Sequence, residues 1–579
     1  MIKKTVTILI IIAICLSMLS LFACDDEIKN PNFFVVATAF EIASLDPAYG
    51  YDTASSGQIL NIYETLIKFD GNSTSEFIPG LATEWTISED GKTYRFKIRD
   101  GVSFHNGNPL TPGDVEYSFE RGMVQDYSLG PQWMFFEPLF GLGNYTSRTG
   151  SGLIPLNEIK SKVEVDGQWV QFNLATPYEP FLQILASSWG SIVDMDWCIA
   201  NGDWSGTEES YEALNNPAPG GSPINSLTNG TGPFILELWE PGIQIILTRN
   251  DNYWGTPASF EKVITQIIDE WATRKAMLEL GDADCVLVPS EQNQEVKEMP
   301  GILVYENVPT LLNQALFFQF AIDPNSTLIG SGQLDGNGIP TDFFSDVDVR
   351  KGFAYAFDWD TYIDQALTGY GEQISSPIAK HIPYYKPDWP SYELDLVKAE
   401  EHLKAAWNGT LWENGFEMTL VYASGDVTGK VACEILQNNL FEINPLFRIN
   451  LQLMGWPTIL SNMVLGRIPM YLNGWQADYP DPHNFVFAYM HSEGTFTRAQ
   501  QYSNEVADDL IEQAISSSSH SERQMLYDEI AELYYNEVPS IMICQFLGVF
   551  FFRDWIQGFV YNPIRSGYEM YAYYLSKGY

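Results

Sequence analysis

The densest group of chemically versatile side chains lies at residues 474–485, which read GWQADYPDPHNF. This stretch places the carboxylates of Asp478 and Asp481 close in sequence to the imidazole of His483. Paired carboxylates can divide the acid and base roles of glycoside hydrolysis. Carboxylate and imidazole groups can also hold a metal ion, and a single carboxylate can bind a cationic ligand. The residue types therefore allow catalysis, metal binding or ligand binding.

The prolines in this stretch weigh against catalysis and metal binding. Pro480 and Pro482 indicate a rigid turn, in which Asp481 accepts hydrogen bonds from local amides. They oppose a helix, which is the simplest element that would place His483 and His491 on one face. The chain contains no nucleophile elbow, phosphate-binding glycine loop, HExxH motif or dinucleotide fingerprint. The sequence therefore predicts a protein that is not an enzyme and has no metal site and no cofactor.

Composition points to a large globular protein with an aromatic cleft. The chain has 579 residues, which is more than one hydrophobic core usually serves, so we expect two or three domains. Its 16 Trp and 31 Tyr exceed what core filling needs and indicate an apolar cleft that also offers hydrogen bonds. The net charge of −43 would repel nucleic acid and anionic lipid, so neither is expected as a partner.

The N-terminus is typical of an export signal. Lys3 and Lys4 precede a mostly apolar stretch that ends at Ala23-Cys24. We expect residues 1–23 to be a signal peptide, Cys24 to carry a lipid on its sulfur, and residues 24–32 to be a tether. The alternative is an ordinary signal peptide that is cleaved nearby. With the lipid anchor, the protein is expected on the outer face of the cytoplasmic membrane, at the cell surface or in the periplasm.

Hydrophobic patterns along the chain predict alternating strands and helices. Alternating residues flank turn signals at 82–98 and 163–174, which predicts two β-hairpins. Thr111, followed by Pro112 and Asp114, has the spacing of a capping box and predicts the start of a helix. This alternation favours α/β lobes with some antiparallel hairpins.

Two further features of the sequence concern buried segments. The apolar run 541–552 is too short to cross a bilayer and predicts a buried pair of strands. Four cysteines beyond the leader lie far apart without CxxC spacing, which argues against a zinc site but allows one or two disulfides: Cys198, Cys285, Cys433 and Cys544.

Several stretches, taken in chain order, resemble the family 5 extracellular solute-binding proteins of ABC importers. The most specific are residues 79–121 (PGLATEWTISEDGKTYRFKIRDGVSFHNGNPLTPGDVEYSFER) and 229–255 (NGTGPFILELWEPGIQIILTRNDNYWG). Residues 274–284, 349–358 (VRKGFAYAFD) and 474–485 follow the family's pattern in the same order.

The resemblance implies a fold and a division of the chain. The fold is a two-lobed α/β periplasmic-binding-protein-like architecture of type II, with an extra subdomain and a ligand cleft between the lobes. Lobe I would comprise residues 33–290, with an inserted subdomain at about 68–165. Lobe II would comprise residues 291–540, and residues 541–579 would return to lobe I.

The resemblance also implies a function. A monomeric protein would capture peptides and deliver them to a membrane permease with its ATPase. Two alternatives remain open: another solute, such as an oligosaccharide or a nickel chelate, or a surface receptor that does not transport.

The same resemblance implies a set of ligand-binding residues. Asp478 would pair with the α-ammonium group of a peptide, and Trp475 would form a wall of the site. Main-chain groups near the ligand would come from Gly474, Gln476 and Ala477, and from the loop residues Ala43 and Ser44. The alternatives are that Asp478 caps a turn away from the cleft and that Trp475 packs within a lobe.

Overall fold

The computed structural model describes residues 28–150, 152–218, 220–565 and 570–578. The expected signal peptide, residues 1–23, and the expected lipid attachment site, Cys24, lie outside the described residues. In the part of the chain that is described, no helix is both long enough and apolar enough to cross a membrane.

An eleven-stranded sheet runs through the whole molecule. Its first five strands lie, in spatial order, at Phe234–Glu240, Gln244–Arg249, Lys262–Ile267, Phe33–Thr38 and Cys285–Val286. The next five lie at Ser540–Arg553, Ile302–Phe318, Met470–Gln476, Phe416–Ala423 and Phe447–Met454. The short strand Gly371–Glu372 pairs with Ser540–Arg553 outside this order.

Two long antiparallel strands join the two ends of this sheet. Ile302–Phe318 and Ser540–Arg553 pair along most of their length, from Ile302 opposite Arg553 to Phe317 opposite Ser540. Their register is interrupted between Pro309 and Asn313. The prediction of a buried strand pair at 541–552 is wrong, because this apolar run is one continuous strand paired with a distant one.

Smaller antiparallel sheets account for the remaining strands. A four-stranded sheet contains Ala82–Ile87, Thr93–Ile98, Trp169–Asn173 and Val163–Asp166, which confirms the two predicted hairpins. Three two-stranded pairs lie at Ile67–Phe69 with Phe77–Pro79, Arg148–Thr149 with Gly152–Leu153, and Ile556–Gln557 with Ser576–Lys577.

Helices cover both faces of the main sheet. Those in the first half are Thr53–Ile62, Pro112–Gln125, Trp133–Phe140, Leu156–Lys160, Phe181–Leu185, Met195–Ala200, Glu208–Leu214, Trp271–Leu280 and Asn293–Lys297. Those that follow are Val347–Tyr355, Trp359–Thr361, Leu396–Ala405, Thr410–Asn414, Val427–Ile443, Trp456–Val464, Pro482–Met490, Thr495–Gln500, Glu505–Ser516 and His520–Glu537.

Predictions from the sequence concern two helix starts, one at Thr111 and one at Pro482. At Thr111 the capping box is complete, since its hydroxyl accepts from the Asp114 N–H and the Asp114 carboxylate accepts from the Thr111 N–H. At Pro482, by contrast, the prediction that prolines oppose a helix is wrong. Proline needs no N–H partner at the first helical position, and Asp481 caps the helix by accepting from the N–H of His483 at 2.9 Å.

The buried side chains form separate hydrophobic cores. One core draws mainly on residues 34–285 together with residues 550–575 from the end of the chain, and it also includes Tyr479 and Ile515. Two further cores lie almost wholly within residues 311–543. Cys198, Cys285, Cys433 and Cys544 are buried in these cores as free thiols, so the disulfides that the sequence allowed do not form among them.

Candidate ligand-binding site

A cavity of about 330 Å³ opens between elements of the two halves. This volume is at the lower end of the roughly 300–1,000 Å³ typical of small-molecule sites. The first half and the C-terminal segment contribute Tyr51, Asp52, Thr53, Ser56, Leu60, Phe69, Ala186, Ser187, Ser188, Trp189, Ile564 and Arg565. The second half contributes Trp475, Gln476, Ala477 and Asp478.

The strand Met470–Gln476 positions the predicted residues at the cavity. It pairs with the long strand Ile302–Phe318, with Gly474 opposite Gln314 and Trp475 opposite Asn313. Gly474 allows this close approach, since a Cβ there would lie 2.6 Å from the carbonyl oxygen of Asn313. Gly474 is absent from the cavity lining, whereas Trp475, Gln476 and Ala477 line it.

Asp478 is a buried carboxylate at the cavity wall, with 7% of its surface exposed. The hydroxyl of Tyr51 donates to one of its oxygens at 2.6 Å, and the Nδ2 of Asn484 donates to the other at 3.3 Å. Burial raises the pKa of Asp478 to about 6, against the lowering effect of these two hydrogen bonds. Among the described residues, Asp478 has no ion pair.

Trp475 and Asp478 are held by the same neighbour. The Oδ1 of Asn484 accepts from the Trp475 Nε1 at 2.9 Å and from the Asp478 N–H at 3.1 Å. The Trp475 ring meets Phe496 edge-on, with centroids 5.9 Å apart. Asn484 belongs to the helix that begins at Pro482, so that helix fixes the position of both predicted residues.

The facing wall is aromatic and was not identified from the sequence. Tyr51 contacts Trp189 edge-on at a centroid distance of 5.4 Å and accepts from the Nε1 of Trp133 at 3.3 Å. Trp189 donates in turn to the carbonyl of Gly50 at 3.1 Å. Burial and the neighbouring Asp478 raise the pKa of Tyr51 well above its ordinary value. The surplus of aromatic residues was the sequence signal for this wall, but it could not say which residues form it.

The predicted loop residues Ala43 and Ser44 lie outside the cavity lining. Their N–H groups both donate to the Oγ of Ser55, each at 3.1 Å. Because these donors are already satisfied within the protein, the loop supports the helix Thr53–Ile62. Residues that follow this loop, Tyr51 and Asp52, reach the cavity in its place.

Asp481 belongs to a separate ionic cluster. A terminal nitrogen of the fully buried Arg523 donates to both Asp481 oxygens, at 2.9 and 3.1 Å. Arg523 also pairs with Glu179 from the first half, and Glu179 accepts from the hydroxyl of Tyr384 at 2.9 Å. The sequence predicted that Asp481 would hold the turn, but it did not indicate the arginine.

A second polar cluster also connects the halves beside the cavity. Glu137 accepts from the Tyr178 hydroxyl at 2.9 Å and lies 3.3 Å from the Nε2 of His483. Tyr178 lies 3.2 Å from the hydroxyl of Tyr479. Burial opposes ionisation of Glu137, but hydrogen bonding and the charge of His483 together lower its pKa. Within the described residues, no group of three or more His, Cys, Asp or Glu side chains could hold a metal ion.

Hydrophobic cores on either side of a shared sheet, with a cavity between them, define the two-lobed architecture of periplasmic binding proteins. A family model described as "Bacterial extracellular solute-binding proteins, family 5 Middle" matches residues 76–497. The match covers well over half of the chain, so the protein belongs to this family. The resemblance seen in the sequence and the α/β two-lobed fold it implied are thereby confirmed.

Individual relatives are similar over nearly the whole chain. The dipeptide-binding protein of Escherichia coli (strain K12) is 27% identical over 558 residues, covering 92% of this chain and 90% of the relative. The probable D,D-dipeptide-binding periplasmic protein DdpA of the same strain is 24% identical over 540 residues, covering 92% of each. A solved structure of Helicobacter pylori DppA in complex with the peptide STSA has a TM-score of 0.69 at 25% identity, covering 94% of this chain and 98% of that one.

Proposed function

We propose that this protein binds a peptide outside the cytoplasmic membrane and delivers it, unchanged, to an ABC permease and its ATPase. Membership of the family 5 solute-binding proteins supports this function, and the relatives described above are named for binding dipeptides. The ligand would lie in the cavity between the two halves and would contact both of them. Contacts to both halves favour a closed arrangement, which a permease can distinguish from an open one.

The observation that carries the proposal is a buried carboxylate whose described partners are uncharged. Asp478 accepts from Tyr51 and Asn484, and both are neutral donors. A buried anion normally has a cationic partner, because its desolvation is otherwise uncompensated. The α-ammonium group of a peptide would supply that charge from within the cavity. Trp475 and the facing Tyr51 and Trp189 would enclose the rest of the ligand.

The proposed arrangement of the chain follows its hydrophobic cores. Residues 33–290 and 541–579 would form lobe I, and residues 291–540 lobe II. The cores support this division in outline, since side chains from Phe550 onward pack into the first core, whereas residues 541–544 still pack into the cores of the second half. The inserted subdomain, about 68–165, would include most of the four-stranded sheet, whose strands span residues 82–173. A lipid on Cys24 and a tether at 24–32 would hold the monomeric protein at the membrane surface.

Calorimetric titration with an equimolar pool of dipeptides tests the role of Asp478. We expect Asp478→Ala to lose about 2–5 kcal/mol of binding free energy, as is typical when one partner of a buried charge pair is removed. The exposed Asp100, in the turn that follows the strand Thr93–Ile98, provides a matched control, and Asp100→Ala should bind as the wild type does. Equal binding by Asp478→Ala and wild type would remove Asp478 from the site.

Mass spectrometry of ligand that co-purifies with the protein tests the class of solute. We expect intact short peptides. An oligosaccharide or a nickel chelate would replace the peptide assignment, and peptide fragments generated from added peptide would indicate hydrolysis. Absence of transport by cells that carry the binding protein and its permease would favour a receptor that only senses the ligand.

A further inference from the structure

Arg565 is the one basic residue among the described residues that line the cavity. It follows the long strand Ser540–Arg553 and is half-buried. It approaches the cavity from the C-terminal segment, which packs with the first half, whereas Asp478 comes from the second half. The cavity therefore contains one cationic side chain and one buried anionic side chain that reach it from different halves.

The guanidinium of Arg565 forms no ion pair within the described residues. Its described contact is with the ring of Tyr571, at 5.9 Å from the ring centroid, which is near the outer limit of a cation–π contact. Two fully buried arginines are paired with acids: Arg121 binds Asp46 and Asp203, and Arg523 binds Asp481 and Glu179. The protein has 74 acidic and 31 basic residues, so acidic partners are abundant, yet none of the described acidic residues pairs with Arg565.

The turn that presents Arg565 is anchored to the protein body. Asn562, which is 1% exposed, donates through its Nδ2 to the carbonyls of Gly71 and Ser73, at 3.1 and 2.8 Å. Its Oδ1 accepts from the N–H of Ile564 at 3.1 Å, and its carbonyl accepts from the N–H of Arg565 at 2.9 Å. These bonds fix the backbone just before the guanidinium, so Arg565 extends from a defined position.

The other carboxylate in the lining is already occupied. Asp52 caps the helix Thr53–Ile62, and it accepts from the N–H of Ser55 at 2.8 Å and from its Oγ at 2.6 Å. Asp52 is also only partly buried, so solvent can compensate its charge. Asp478 is the buried carboxylate of the lining, and its described partners are neutral.

We propose that Arg565 binds a carboxylate of the ligand, so that the site selects a short zwitterion. The inference rests on the proposed function, because it takes Asp478 as the partner of the ligand's ammonium group. The planar guanidinium can donate two parallel hydrogen bonds to a carboxylate, which suits it to this role. A cavity of about 330 Å³ with one charged group from each half fits a di- or tripeptide and excludes an uncharged sugar as the preferred ligand.

The ligand group that Arg565 would bind is a carboxylate. It can come from the C-terminus of the peptide or from an acidic side chain. Three defined probes separate these sources: Ala-Phe, Ala-Phe amide, and Ala-Glu amide, which has its carboxylate on the side chain alone. The apolar residues Leu60, Phe69 and Ile564 in the lining would accommodate the Phe side chain.

Calorimetric titration of the wild-type protein gives the first measurement and needs no variant. We expect Ala-Phe amide to bind about 10- to 100-fold more weakly than Ala-Phe, in line with the loss of a charge-assisted hydrogen bond. If Ala-Glu amide restores the affinity, the carboxylate contact stands and the side chain is its source. Equal affinity for Ala-Phe and both amides overturns the proposal.

Arg565→Gln then assigns the effect to the residue. The variant should lose about 10- to 100-fold for Ala-Phe and nothing for Ala-Phe amide, and Arg565→Lys should recover part of the loss. An equal loss for acid and amide would show a structural effect and would overturn the proposal. If the wild type binds the peptides through Asp478 without discriminating the amide, the Arg565 proposal fails alone. If it binds none of the peptides, the proposed function fails with it.

Discussion

Asp478 and Asp481 are buried carboxylates three positions apart, and their surroundings are opposite. Asp481 is paired with the buried Arg523 and caps a helix. Asp478 has two neutral hydrogen-bond donors and faces a cavity. The protein thus neutralises Asp481 internally, whereas Asp478 is the carboxylate that we propose to meet the charge of a ligand. The comparison shows that the partner of a buried acid, more than its burial, separates a structural role from a binding role.

The largest expected effect is a loss of folding stability when Asp481, the carboxylate that is paired with Arg523, is replaced. We expect Asp481→Ala to destabilise the protein by about 3–5 kcal/mol. Among the described residues, the substitution leaves the buried Arg523 with one acidic partner, Glu179, which is 42% exposed. Denaturant unfolding followed by circular dichroism measures this loss. The double variant Asp481→Ala/Arg523→Met should recover part of it, because it removes the uncompensated cation. A loss below about 1 kcal/mol would place Asp481 in the same class as a surface ion pair.

The second prediction concerns Asp478, the carboxylate with no described ion pair. Its substitution is expected to raise the folding stability. Because burial raises the pKa of Asp478 from 3.8 to about 6, ionisation favours the unfolded chain. The stability that the neutral form provides is present below about pH 4 and is lost as the pH rises to about 6. Asp478→Asn should therefore stabilise the ligand-free protein at pH 8 by up to about 3 kcal/mol.

Parallel unfolding of Asp478→Asn and the exposed control Asp100→Asn at pH 8 and pH 4 checks this sign. The control should match the wild type at both values. A destabilised Asp478→Asn at pH 8 would mean that the carboxylate has an internal cationic partner, and the contrast with Asp481 would disappear.

The smallest effect is on the pH dependence of peptide affinity. An ammonium ligand needs the ionised form of Asp478, so affinity should fall about tenfold between pH 7 and pH 5. Tyr51 stabilises that ionised form through its 2.6 Å hydrogen bond. Tyr51→Phe should therefore move the midpoint of the profile to higher pH and weaken binding at pH 6.5 by about 1 kcal/mol.

Titration of Ala-Phe across pH 5–8 with wild type, Tyr51→Phe and Tyr422→Phe measures this shift. Tyr422 lies on the strand Phe416–Ala423, away from the cavity, and serves as the control. Binding that strengthens as the pH falls would contradict an ammonium partner for Asp478.

The sequence correctly predicted local structure that depends on residues close to each other in the chain. The capping box at Thr111 and both hairpins are confirmed because their partners lie within a few positions of each other. The start of the helix at Pro482 was missed, because proline opposes a helix interior yet favours the first helical position. Whether Pro482 prevents a helix or begins one depends on the preceding residue, Asp481. Its carboxylate accepts from the His483 N–H and so caps the helix.

Contacts between residues far apart in the chain could not be predicted from a single sequence. The hydroxyl of Tyr51 meets a carboxylate 427 positions later, and Arg523 meets Glu179 344 positions earlier. Family resemblance suggested Asp478 and Trp475, and the structure brings both to the cavity. It suggested Ala43 and Ser44 too, but the hydroxyl of Ser55 occupies their N–H groups.

The return of the chain to its first half has a consequence for the order of events during synthesis. The first core includes side chains from residues 550–575, and Lys577 lies 2.8 Å from Asp284. A chain still emerging from the ribosome therefore lacks the last pieces of the core that it began first. The hydrophobic core of the half that is translated first is therefore the last to be completed. A product truncated before about residue 550 would lack the side chains that complete this core.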